Sequence, residues 1–295
     1  MNDKKNQGLI LYPAKNLKVV VDNLNKKVFD KKIPAKKTLK DTLTESRKKK
    51  VSSTFTITNH SENDAELTEF DRAVLSVCIA EQAKGNQYTT ANIIFHQLGG
   101  GRNLTDKMRN EILNSLEKLS KIRVEIDMGE SAEKKMYSLK DTKASKDGEV
   151  VFRGYLLPTE SITATVNGQT TDAIKFLSKG IIYGIANLKN QIETCPLNLL
   201  NAPIRATPRN IAVNHYLLRR TLEIKGSKNG KLRSVILFQD LYEKCGISSD
   251  NKRAKQQMRE TATAILNFFV EQGVIKSFRF EKKDGEFYSI ILTTL

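Results

Sequence analysis

The same order of segments runs through this chain twice, and that order narrows its folds more than its composition does. From residue 66, "LTEFDRAVLSVCIAEQAKGN" begins with Thr68 as a helix N-cap and Asp71 three residues later in the capping-box position. Phe70, Val74, Val77 and Cys78 follow at helical spacing, and Gly85-Asn86 stops the helix. "YTTANIIFHQLGGG" predicts a short extended piece, a helix from Thr89 or Thr90 to Leu98, and a glycine turn. Thr105 caps a third helix, "TDKMRNEILNSLEKLS", with Met108, Ile112, Leu116 and Leu119 along one face. "IRVEIDM" then alternates apolar and polar residues as a half-buried strand does.

The second half repeats the plan. Thr207 is an N-cap and Pro208 stands at the first helical position, where its missing N–H does no harm. "RSVILF" predicts a short strand and "QDLYEKCGI" a short helix ending at Gly246. Ser249 or Asp250 caps a long third helix that runs to about Val274. "VIKSFRFEKKDGEFYSIIL" is a hairpin, two alternating strands around the turn Asp284-Gly285.

Between the halves, the polar stretch 129–148 predicts a loop or wing tip. Residues 149–177 predict three or four antiparallel strands with a hairpin turn at Asn167-Gly168. Residues 180–206 predict one or two helices and a proline-containing connector. The fold class expected is α+β: two tandem winged-helix domains, each three helices on a small antiparallel sheet, with a basic N-terminal arm. The expected divisions are 1–65 for a partly disordered arm, 66–203 for the first domain and its linker helix, and 204–295 for the second. In a winged helix the third helix enters a DNA major groove and the hairpin reaches the adjacent backbone.

Charge points to the same partner. The chain holds 49 Lys and Arg against 33 Asp and Glu, a formal net charge of +16, and such a surface attracts polyanions. Residues 1–50 carry 15 of the cations and 5 of the acids. "KKIPAKKTLK" and "RKKKVSS" show no amphipathic period, so they read as a solvated tail, as an arm along phosphates, or as both. "LKVVVDNL" suits a short strand or helix.

The third helix of the second half presents Lys252, Arg253, Lys255, Gln256, Gln257 and Arg259, interrupted by a single acid, Glu260. Arg and Lys pair with guanine and Asn and Gln with adenine, so these residues are candidate base readers, with a merely solvated helix face as the alternative. Lys276, Arg279, Lys282 and Lys283 on the wing, and Arg205, Arg209, Arg219, Arg220, Lys228, Lys231 and Arg233 around the first helix, are candidate phosphate contacts that set register. In the first half, Arg102 follows a glycine run able to approach phosphate with its backbone. Lys107, Asn110 and Asn114 stand on the third helix in a mixed set with Asp106 and Glu111, a set equally suited to a solvated face or an oligomerisation surface.

No apolar run is long enough to span a bilayer, and the N-terminus lacks a signal peptide's apolar core, so a cytoplasmic protein is expected. Cys78, Cys195 and Cys245 fit neither a disulfide framework nor a zinc pattern and read as buried thiols. His60, His96 and His215 are isolated and read as structural or surface residues. No P-loop spacing and no paired histidines of a nickase occur. Tyr183, Tyr216 and Tyr242 read as core or surface residues rather than nucleophiles. No catalytic residue, metal or cofactor is assigned, and the protein is expected not to be an enzyme.

"LTEFDRAVLSVCIAEQ", "TDKMRNEILNSLEKLSKI", "TPRNIAVNHYLLRRTLEIK" and "KRAKQQMRETATAILNFFVEQGVIKSFRF" together resemble the plasmid Rep-type replication initiators, which bind repeated origin sequences through tandem winged helices. The resemblance implies binding to double-stranded origin repeats, opening of an adjacent AT-rich segment, and recruitment of host replication proteins such as the helicase or its loader. It also implies a homodimer that represses and a monomer that initiates. The long basic arm and the large region 129–200 depart from the pattern. Two other functions stay open: a winged-helix transcriptional regulator or partition adaptor, and a nicking or primase-like enzyme.

Overall fold

A computed structural model describes residues 7–11, 28–29, 32–45, 50–127, 151–166, 169–188, 192–226, 234–247 and 251–294. The chain is mixed α/β, with helices packed among several small antiparallel sheets. No helix among the described residues is long and apolar enough to cross a membrane.

In the first half, α1 (Glu69–Ala83), α2 (Ala91–Gln97) and α3 (Asp106–Lys121) fall where the caps predict. Thr68 and Asp71 form the reciprocal capping box, Thr90 Oγ1 accepts from Ile93 N, and Thr105 Oγ1 accepts from Met108 N at 3.3 Å. Met108, Ile112, Leu116 and Leu119 are the buried stripe of α3. The second half is built alike from α5 (Pro208–Gly226), α6 (Phe238–Lys244) and α7 (Lys252–Glu271). Thr207 Oγ1 accepts from Asn210 N at 3.2 Å. The cap of α7 is Asn251, whose Oδ1 accepts from Ala254 N at 2.9 Å, rather than Ser249 or Asp250, which lie outside the described residues.

The sheets repeat an order as well. The strand between the first two helices of the second half, β12 (Val235–Leu237), pairs with the second strand of the terminal hairpin β13 (Ile275–Lys283) and β14 (Glu286–Thr294), in the order β12-β14-β13. Its counterpart in the first half, β6 (Tyr88–Thr89), pairs with the hairpin β9 (Thr159–Val166) and β10 (Gln169–Phe176), in the order β6-β10-β9. Val166 pairs with Gln169, as the Asn-Gly pair between them predicts. The hairpin equivalent to the terminal one is therefore β9–β10. The polar stretch expected at a wing tip, 129–148, lies outside the described residues. The strand that directly follows α3, β7 (Ile122–Asp127), belongs to another sheet.

That sheet overturns the expectation that order begins near residue 66. Its strands run β3-β4-β7-β8, with β3 (Thr38–Glu45) and β4 (Lys50–Asn59) drawn from the basic segment and β8 (Val151–Tyr155) from beyond 150. Phe55 and Ile57 of β4 stand opposite Ile126 and Val124 and are fully buried. Upstream, β2 (Lys32–Ile33) pairs with β5 (Ala65–Glu66), and Val28, Phe29 and Ile33 join the core. The segment 17–24 and the tract 46–49 lie outside the described residues.

The connector also differs from expectation. After α4 (Ile181–Leu188) comes a strand, β11 (Ile192–Pro196), and then a 3-10 turn, Leu197–Leu200. The partner of β11 is β1 (Gln7–Leu11), from the start of the chain. Two glycines expected to face phosphate instead permit close packing. A Cβ on Gly99 (φ +83°) would stand 2.2 Å from Leu200 O, and one on Gly100 would stand 2.6 Å from the Phe95 ring. A single apolar cluster runs from Val28 to Leu292 through both halves, with α1 packed on α5.

Candidate nucleic-acid interface

The buried stripe of α7 is Ala254, Met258, Ala262, Ile265, Leu266 and Phe269. Its first two turns are anchored only by Ala254 and Met258, which leaves Lys252, Arg253, Gln256 and Gln257 exposed and Lys255 and Arg259 half-buried. No acid occupies the first turn, so side-chain cations add to the positive end of the helix dipole. Gln256 Nε2 donates to Glu260 Oε1 at 3.0 Å.

Aromatic rings hold the half-buried cations in place. Lys255 Nζ lies 5.4 Å from the Tyr242 ring centroid, and the Arg259 guanidinium lies 4.6 Å from that of Phe287 while donating to Tyr242 Oη at 3.2 Å. Lys282 Nζ stands 4.7 Å from Phe287, and Lys283 Nζ 5.7 Å from Tyr288. Phe238, Phe280 and Phe287 form an edge-on cluster with centroids 5.3–6.0 Å apart, which fastens the hairpin to α6. The turn uses positive φ at both Asp284 (53°) and Gly285 (80°), the geometry of a tight two-residue hairpin. Between α6, α7 and β14 lies an open groove of about 1090 Å³, lined by Lys252, Arg253, Lys255, Gln256 and Arg259 and by Tyr242, Phe287 and Tyr288. The structure thus brings together the cations predicted on the helix and, through the two rings they lie over, Lys282 and Lys283 of the hairpin.

Elsewhere the expected set divides. Arg205, Arg209 and Lys276 are exposed, and Arg279 is exposed beside Glu281 at 3.2 Å. Lys228, Lys231 and Arg233 lie outside the described residues. In the first half, Arg102, Lys107, Asn110 and Asn114 are exposed. Asn114 and Arg209 line one small crevice of about 230 Å³ where α3 meets the start of α5 and the end of α6. Lys118 is taken up by Asp71 Oδ2 at 2.8 Å.

Arg219 does not stand among the exposed cations. It is 9% exposed and buried between α1 and α5, where Nε and Nη2 donate to the two oxygens of Glu69 at 3.1 and 3.2 Å and Nη1 donates to Glu223 at 2.8 Å. Arg220 pairs with Glu223 as well. Glu69 also receives His215 Nδ1 at 2.8 Å and has Arg72 Nε at 3.7 Å. Burial opposes ionisation of Glu69, but Arg219, Arg72 and His215 hold its carboxyl well below the usual carboxylate range. Burial likewise pushes the His215 imidazole below its ordinary value, with Glu69 only partly resisting.

Ser76 Oγ lies 3.3 Å from His215 Nε2 and 3.0 Å from Arg72 O, sharing one proton between two acceptors. Ser76, His215 and Glu69 thus have the order of a nucleophile, base and acid. All three are buried, and neither the groove beside α7 nor the crevice where α3 meets α5 is lined by any of them. The cluster is a structural joint between the halves. Sequence reasoning missed it because its members stand up to 150 positions apart. Tyr183, Tyr216 and Tyr242 are buried.

Solved structures of RctB are among those that resemble this one. One, of selenomethionine derivatives of domains 2 and 3 of RctB, has 12% identity and a TM-score of 0.46, covering 94% of this chain and 99% of that one. The other, of RctB domains 2–3 (residues 155–483), has 9% identity and a TM-score of 0.49, covering 91% and 96%. No curated protein matches the sequence. By a family model that matches residues 17–283, the chain belongs to the family described as a domain of unknown function, DUF1368.

Proposed function

We propose that the protein is a sequence-specific binder of double-stranded DNA built from two tandem winged-helix units, 66–203 and 204–295, with the segment 1–65 packed in part onto the first. The observation that carries this reading is the acid-free first turn of α7, standing beside a hairpin that presents Lys282 and Lys283. Arg253 and Gln256 suit base edges in a major groove, and the hairpin lysines suit the flanking phosphates. The matching sheet orders β12-β14-β13 and β6-β10-β9 support two copies of one architecture.

Within DNA binding, the role best supported is replication initiation at origin repeats of a plasmid or mobile element, in the cytoplasm and with host replication proteins as partners. Four segments carry that resemblance, and all four fall on α1, α3, α5 and the α7–β13 run. A regulator using the same surface is the second reading. The reading assigns no catalytic role to Ser76, His215 and Glu69, which are buried at the joint.

Selection of bound duplexes from a random pool, followed by footprinting, tests the proposal. A single enriched sequence with a protected footprint is expected, and short direct repeats of it beside the coding gene assign the initiator role. A lone palindrome in a promoter assigns the regulator instead. A chain that retards no duplex at moderate salt overturns both.

A further inference from the structure

Tyr288 is the aromatic residue that the terminal hairpin leaves in solvent, at 49% exposure. Its position comes from a break in the ladder. Glu281 pairs with Ser289 and Lys282 with Phe287, so Tyr288 is the extra residue of a β-bulge. In an unbroken strand, neighbours point to opposite faces. Here Phe287 and Tyr288 both line the groove beside α7. Phe287 is half-buried under Arg259 and Lys282, whereas Tyr288 keeps its ring open with only Lys283 Nζ 5.7 Å away.

We infer that this groove holds an unstacked nucleobase against the Tyr288 ring, with its flanking phosphates met by Lys283, Lys252 and Arg253. The inference rests on the DNA-binding reading and adds a base-stacking subsite to it. An exposed ring within a cationic groove is the combination that binds unpaired strands, because every base has a stacking face and every linkage a charge. The groove, at about 1090 Å³, is at the upper end of the range of small-ligand sites and accommodates a base with its sugar. Glu243 and Glu286 also line it and supply acceptors for the exocyclic amino group of adenine or cytosine. A paired base inside a duplex has both faces covered, so the occupant comes from a single strand or is extruded from a duplex.

The chain contains no tryptophan, so Tyr288→Trp places a single reporter at the site. The full chain is titrated with a labelled single strand of mixed adenine and cytosine, a duplex with a mismatched bubble, and a fully paired duplex. Binding is read from the label and stacking from tryptophan emission. Quenching by the single strand and the bubble is expected, and quenching by the paired duplex as well identifies an extruded base as the source. Tyr288→Ala is expected to weaken the quenching probes about tenfold, with Tyr288→Phe close to wild type. Tryptophan emission that stays unquenched by bound DNA, or no loss in Tyr288→Ala, overturns the subsite and leaves duplex binding standing. A wild-type chain that binds none of the three probes overturns the DNA-binding reading itself.

Discussion

Helices α3 and α7 occupy equivalent places in the two halves, and they part company in their first turns. Both are capped by a side-chain oxygen, and both bury a stripe at three- and four-residue spacing. On α3 the stripe starts strongly at Met108, the first residue is Asp106, and Lys118 is drawn inward by Asp71. On α7 the first turn is Lys252 and Arg253 over a small Ala254, and Lys255 and Arg259 lean on rings that leave their charge outward. The hairpins differ in the same sense. β9 and β10 offer Glu160, Asp172 and Lys175, whereas β13 and β14 carry Lys276, Arg279, Lys282 and Lys283 against Glu281 and Glu286. Packing fixes the scaffold in both halves, and the residues that packing does not use separate a strongly cationic face from a mixed one.

The comparison presumes one frame for both halves, and that frame breaks most easily at Glu69. Glu69→Ala leaves Arg219 and Arg72 without their shared buried carboxylate and is expected to cost about 3–5 kcal/mol in urea unfolding. A loss below about 1 kcal/mol would release Arg219 for a surface role. The depressed folded values of Glu69 and His215 set the sign with pH. The unfolded chain takes up protons first, so stability is full above about pH 6.5 and falls as acid protonates unfolded histidine and then, below about pH 4.5, unfolded glutamate.

The next effect separates the two helices directly. Arg253→Ala is expected to weaken a selected duplex by about 1–3 kcal/mol and random DNA much less. Asn110→Ala on α3 is expected to stay within about 0.5 kcal/mol on both, the usual range for an exposed site away from specific contacts. Competition titrations measure both, and equal losses for the two variants would erase the distinction. The smallest effect is on the hairpin. Lys283→Ala is expected to lower the slope of log affinity against log salt by about 1 with little change in sequence preference. An unchanged slope would remove Lys283 from the phosphate contacts.

The parts legible in the sequence were those that neighbours in the chain determine. Thr68, Thr105 and Thr207 announced their helices because a cap bonds within three residues, and Asp284-Gly285 announced its hairpin because only such residues accept two positive φ values. The strands in the basic segment were hidden. β2 is two residues long, and β4, although it pairs with its neighbour β3, lies against β7 of the core only more than sixty residues later. β11 was invisible for the same reason. Arg219 looked like the exposed Arg205 and Arg209 because nothing local distinguishes a helix face that meets solvent from one that meets Glu69 of another helix. The groove was half legible: its cations could be read from α7, but the bulge that turns Tyr288 toward them depends on a register between two strands.

The pairing of Gln7–Leu11 with Ile192–Pro196 has a bearing on how the protein is made. Once made, the earlier strand has no mate until some 180 further residues have been joined, on the order of 10–40 s at ordinary rates of translation. Throughout that interval its backbone edge is open to any other nascent chain, and the clasp cannot close before Ile192–Pro196 has been made.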